Sequence, residues 1–256
     1  MIHDPWFYAV AIPAMLVLGL SKGGLGGLGL LVVPTMALAI SPIQAAGVTL
    51  PILVLTDIVA VVSYWGVFDR TTLKILLPSS LVGILVAWLA AAWVTEGEIR
   101  LIVGMISILF ALNYWLRHRQ RPEAQPQNVL KGSLWGAITG FTSFISHAGG
   151  PPFQVYVAPL GLKPRTFAGT QVLLFAIINA TKVVPYFFLG QFDRANLTAS
   201  LVLLPFAVAA TFLGVWLVRR IDVTSFYKII YTLVLVIGVY LVGESVAGLI
   251  EARSSM

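Results

Sequence analysis

The chain has 256 residues, of which 59% are hydrophobic and only 10% charged, against about 25% charged in an ordinary soluble domain. This composition predicts a single integral membrane domain over 1–256, with no length left for a soluble module. The net charge of +6 fits basic residues flanking membrane segments rather than nucleic-acid binding, and zero cysteines exclude disulfides and thiolate chemistry.

In chain order, the apolar segments fall at 5–20, 24–40, 43–67, 73–94 and 98–116, then at 132–146, 149–162, 166–190, 196–218 and 225–250. The opening Met1-Ile2-His3-Asp4-Pro5 has no basic leader, so the first segment is expected to be retained. Runs such as 43–67 and 73–94 exceed the ~20 apolar residues that cross a bilayer core. Between the two groups of five lies a polar linker, 117–131, carrying Arg117, Arg119, Arg121, Lys131, Pro122 and Pro126.

The halves repeat one another. Ser21-Lys22-Gly23-Gly24 returns as Ser146-His147-Ala148-Gly149, and Pro34 as Pro159. Ala46-Gly47 returns as Ala168-Gly169, Thr49 as Gln171, Asp57 as Asn179, Tyr64 as Tyr186, and Phe68-Asp69-Arg70 as Phe192-Asp193-Arg194. The pairs keep their order at separations of 122 to 125 residues. The expected architecture is an all-α integral membrane protein with two repeats of about five segments each, repeat 1 over 5–116 and repeat 2 over 132–250. Glycine-interrupted segments at matching places in two repeats mark the broken helices of many secondary transporters, which meet near the bilayer midplane.

Charge fixes an expected orientation. With the linker in the cytoplasm, eleven lysines and arginines fall inside and only Arg100, Arg194 and Arg253 outside. This bias makes the repeats inverted and puts both termini outside. Two segments in each half are short. About 15 residues rise ~22 Å, less than the ~30 Å core, so chain breaks are expected at 21–24 and 146–150. The charge count does not separate re-entrant hairpins from full crossings.

The candidate site residues lie at and near these breaks. Glycines at Gly23, Gly24, Gly149 and Gly150 either allow close helix packing or leave backbone N–H groups bare at the start of a half-helix, where an anion is favoured. Lys22 costs roughly 2.5–3.5 kcal/mol near the bilayer centre, so it either snorkels to an interface or faces an anion. His147 is a substrate donor or proton carrier, or a structural hydrogen-bonded histidine. Asp57 is the sole charge of the 43–67 span, and it can form a structural pair with Lys22 or Lys182 or carry a coupling proton. Lys182 follows Asn179 by three residues and shares its helical face. Ser146, Thr49, Gln154 and Gln171 add polarity that either bonds helices together or lines the site. His3, His118 and His147 have no metal-ligand spacing, no Walker sequence is present, and Ser143, Ser146 and His147 lack a hydrolase frame. No metal, cofactor or catalysis is expected.

On these residues the chain resembles the TauE/SafE family of bacterial sulfite and organosulfonate exporters. The resemblance runs from about Pro13 to Val242. It rests on the glycine-rich Ser21–Gly29 with Val33-Pro34, on the run from Phe141 to Pro152, and on Ala168-Gly169-Thr170, Asn179, Lys182 and Leu189-Gly190. It implies a secondary carrier for small sulfur-containing anions such as sulfite, sulfoacetate or a related organosulfonate. The leading expectation is a multi-pass exporter of the bacterial inner membrane working by proton-coupled alternating access. The expected partners are that small anion and membrane lipid, with no nucleic acid; a homo-oligomer is compatible with the sequence. The competing readings are an uncoupled anion channel and a non-transporting scaffold or assembly factor. Since Lys22 is matched by His147 and Asp57 by Asn179, the site is expected to be asymmetric.

Overall fold

The computed structural model describes residues 4–40, 42–90, 96–117, 124–188 and 192–254. His3, His118, Arg119, Arg121, Pro122, Leu189 and Gly190 lie outside them. Among the described residues the chain is all helix, without strands. The helices are α1 Pro5–Lys22, α2 Val32–Ala37, α3 Pro42–Ser63, α4 Arg70–Ala90 and α5 Glu96–Arg117, then α6 Val129–Ser146, α7 Gly150–Val157, α8 Pro164–Phe188, α9 Arg194–Arg220 and α10 Val223–Ser254. Helices α1, α4, α8, α9 and α10 are long and apolar enough to cross a membrane. The protein is therefore an all-helical, multi-pass membrane protein.

Local chemistry explains most helix boundaries. The side chains of Asp4, Asn128 and Asp193 accept hydrogen bonds from backbone N–H groups two or three residues on, capping α1, α6 and α9, and so satisfy donors that a first turn leaves open. The Asn128 cap starts α6 three residues before the expected 132. The chain is broken where short segments and glycines predicted it, after Lys22 and after Ser146. The second apolar segment, expected over 24–40, is helical only in part. A 3₁₀ turn at Leu28–Leu31 precedes the six-residue α2. Gly24 and Gly27 take φ of 117° and 96°, conformations that disfavour a side chain and stop a regular helix from starting earlier.

The chain forms two compact units. The first, Met1–Arg70 with Lys163–Asp222, holds α1, α2, α3, α8 and α9. Here α1 lies against α9 through bare backbone: Gly19 faces the Ala207 carbonyl, and Gly23 faces Gly214 and the Thr211 carbonyl. Phe7, Met15, Leu18, Met36, Leu50 and Leu203 fill the interior around them. The second unit, Thr71–Leu162 with Val223–Met256, holds α4, α5, α6, α7 and α10. In it α6 meets α4 at Gly83, Gly136 and Gly140, and the Ser80 hydroxyl donates to the Gly136 carbonyl at 2.9 Å. Gly104 and Gly238 bring α5 to α10, and Arg100 pairs with Glu244 at 2.6 Å. Small residues are what bring helices together in lipid, where burying apolar surface gains nothing. Leu85, Trp88 and Leu89 on α4 and Leu201, Phe212 and Leu213 on α9 are exposed and give those helices lipid-compatible outer faces.

This packing predicts a contrast between two glycines. A side chain at Gly140 overlaps the Ser80 backbone, whereas one at Gly243 meets nothing. Gly140→Val should lose about 1–3 kcal/mol, read as a lower unfolding midpoint of the purified protein in detergent. Gly243→Ala should leave the midpoint unchanged or raise it, by at most about 1 kcal/mol.

Candidate functional site

The first unit buries a cluster of charge. Lys22, the last residue of α1, is 9% exposed, and its Nζ donates to Asp57 Oδ1 at 2.5 Å. Asp57 lies in the middle of α3 and is itself 3% exposed. Its other oxygen, Oδ2, accepts from Asn179 Nδ2 on α8 at 2.7 Å. Lys182, nearly one turn beyond Asn179, is fully buried and acts electrostatically on both Asp57 and Lys22. The titratable groups that meet here are thus two lysine amines and one carboxyl group. The partner left open by the sequence is settled: Asp57 bonds Lys22 directly. Asp57 and Asn179, 122 residues apart in the chain, are in direct hydrogen-bond contact.

Tyr64 adds a contact that sequence reasoning noticed only as a repeat match. It lies just beyond α3, seven residues or about two turns after Asp57, and so shares its face. Its hydroxyl donates to the Gly23 carbonyl at 2.6 Å. Chain segment 57–64 therefore holds the end of α1 twice, once by the Lys22 ammonium and once by the next residue's carbonyl. That carbonyl belongs to the set a helix end leaves unbonded.

One expectation about the first break needs correction. The N–H groups of Gly23 and Gly24 donate to the Gly19 carbonyl at 2.8 Å and the Ser21 carbonyl at 3.2 Å. They close the C-terminal turn of α1 and do not stand bare at the start of a half-helix. A helix C-terminus favours a cation, which suits Lys22 and not an anion. The Thr49 hydroxyl donates to the Ala45 carbonyl at 2.6 Å, two turns and about 12 Å along α3 from Asp57. Gln171 lies as far from Asn179 along α8, and its amide packs against Gly26.

The remaining candidates belong to the second unit. His147 ends α6 in the left-handed region at φ 53°, and the Ala148 N–H returns to the Thr142 carbonyl at 3.1 Å, a closure usually given to glycine. Gly149 precedes α7, which opens Gly150-Pro151-Pro152. Proline has no N–H, so this helix start offers fewer backbone donors than four ordinary residues would. Gln154 follows on α7, fully buried. The Ser146 side chain lies outside what is described.

Ammonium groups buried beside a single carboxylate, on helices made for lipid, suit passage of an anion. The family model Sulfite exporter TauE/SafE matches residues 11–241. The chain belongs to the TauE/SafE family. Like its family, it is a membrane transporter of the sulfite and anion exporter type. Comparisons with curated proteins and with solved structures give no match.

With both lysines protonated, the two-to-one ratio of basic to acidic groups predicts an order of stabilities. Asp57→Leu leaves two ammonium ions facing each other without a carboxylate, an uncompensated burial worth about 3–5 kcal/mol. Lys22→Met leaves Asp57 opposite Lys182 and neutral overall. Thermal unfolding in detergent should rank wild type above Lys22→Met and Lys22→Met above Asp57→Leu.

Proposed function

We propose that the protein is a proton-coupled, alternating-access exporter of small sulfur oxyanions, such as sulfite, sulfoacetate or a related organosulfonate, and that Lys22 and Lys182 grip the anion. The observation that carries this reading is the pair of buried lysines around Asp57. Two ammonium ions stabilise a desolvated oxyanion by charge-assisted hydrogen bonds, which repay the water it loses. Asn179 Nδ2, now on Asp57 Oδ2, is a further donor within the cluster.

Export also needs release, and Asp57 provides it. When Asp57 is ionised it holds Lys22, and the grip on the anion weakens. When it is protonated its hold lapses, and both ammonium groups turn to the anion. Anion binding and protonation of Asp57 are thus linked through one carboxylate, so that a proton gradient acts on the grip and on the release of the anion. An uncoupled channel would have no use for a carboxylate that competes with its cargo, and a scaffold no use for buried charge that is costly to insert.

In this reading the transporter sits in the bacterial inner membrane with both termini outside, linker 117–131 in the cytoplasm, and the halves inverted. The charge split supports it. So does helix pairing: α1 packs on α9 and α6 on α4, the first helix of each half against the fourth of the other. The Asp57–Asn179 bond adds support, since residues related by a two-fold axis can touch only beside that axis. A reporter fused to the C-terminus should report a periplasmic position; a cytoplasmic signal would reverse the assignment.

The site is tested by sulfite binding and flux in proteoliposomes. Lys182→Ala should abolish binding. Asp57→Asn should bind sulfite but lose concentrative movement under an imposed pH gradient, retaining only equilibration. Unchanged sulfite affinity in Lys182→Ala would make the cluster a structural ion pair.

A further inference from the structure

The α6–α7 bend of the second unit contains a polar group that the charge cluster does not use. Gln154 is fully buried, and neither its Nε2 nor its Oε1 has a hydrogen-bond partner among the described residues. On α6, which packs along α7, Thr139 is equally buried, and its Oγ1 is also without a partner. Phe153 and Val157 on the same helix are fully buried as well. An amide kept from water in such a place is costly unless something satisfies it. Here both ends are open, so whatever satisfies it has to accept one hydrogen bond and donate another.

We propose that the α6–α7 bend holds a second station for the transported anion, in which Gln154 recognises a monoprotonated oxyanion. Nε2–H donates to an ionised oxygen, and Oε1 accepts from the anion's own O–H. A fully ionised oxyanion has nothing to donate to Oε1. From Gly149 to Leu162 the chain carries no charged side chain, and the N-terminal dipole of α7 favours an anion at its opening; the titratable group nearest that opening in sequence is His147. The uncharged run favours a species with one negative charge over one with two. Helical side chains lean over the turn before them, which directs Gln154 toward the opening of α7 at Gly150. Pro151 and Pro152 remove two N–H donors there, leaving the side-chain amide as the principal recognition group.

The inference rests on the reading above in one respect, that small sulfur oxyanions are the cargo, and among them it selects hydrogensulfite over the sulfonates, whose sulfonate group carries no O–H. Hydrogensulfite and methanesulfinate test it, since they share charge and shape and differ by a hydroxyl in place of a methyl. Flux of each is measured in proteoliposomes at one mildly acidic pH, where most sulfite carries a proton. A site that bonds a substrate hydroxyl rejects the analogue lacking it, so the wild type should favour hydrogensulfite by at least about tenfold in kcat/KM. In Gln154→Met the ratio should fall toward one through loss of hydrogensulfite flux alone, and persisting methanesulfinate flux shows the variant is folded. A wild-type ratio near one overturns the proposal without any variant. So does a Gln154→Met variant that changes both fluxes equally or neither, because the amide is then structural. Lys182→Ala, run beside it, separates the two readings: unchanged flux there removes the charge-cluster site and leaves the Gln154 ratio to be judged by itself.

Discussion

The bond between the Lys22 ammonium and the Asp57 carboxylate is the constraint around which the first unit is arranged. Away from water, an ionised group without a partner costs several kcal/mol, so α1, α3 and α8 must converge wherever these side chains lie. The end of α1 is held in place by close packing on α9, which Gly19 on α1, Gly23 just after it and Gly214 on α9 allow. Convergence also requires that α1 stop at Lys22, and the Gly23 and Gly24 turn together with the Tyr64 hydroxyl fixes that end. The low dielectric that makes the pair expensive to break also makes it responsive to one added proton or one added anion. In the proposed cycle these two events are linked through Asp57.

The two chain breaks answer the same design problem with different chemistry. The first is glycine-rich, uses left-handed glycines, and ends its helix on a lysine. The second turns on His147 in the left-handed region and restarts with two prolines. One break therefore presents a charge and the other, beyond His147, an uncharged amide. A carrier that must both bind and release gains from such a difference, because a purely cationic route would hold an oxyanion too firmly. The Gln154 station proposed for the second break would recognise the anion by its hydrogen atom and not by its charge.

Much of the fold was legible in the sequence because lipid imposes simple rules. Apolar length gave the helices, matched glycines gave both breaks, and Asp4, Asn128 and Asp193 explain where three helices begin. The run 24–40 was misjudged as one segment because its apolar character hides a backbone that glycine makes irregular. Asp57, Asn179, Lys22 and Lys182 were legible as candidates, since charge and amide are rare in such spans. Which lysine Asp57 holds directly was not, because that depends on how α1 and α8 lie against α3. The donors of Gly23 and Gly24 were misassigned for a local reason: a glycine at a break can close the helix before it or open the one after. Tyr64 left only a repeat match as a signal, although its two-turn spacing from Asp57 could have pointed to the same partner.

The central claim is that the two buried lysines bind the transported anion together. It is tested most directly by following the side-chain ammonium nitrogens of Lys22 and Lys182 by ¹⁵N NMR while sulfite is added to the purified protein. The account predicts that both signals move, with one shared affinity, and that both are displaced in Asp57→Asn before any anion is present. Lysine signals that stay fixed while sulfite is still transported would contradict it.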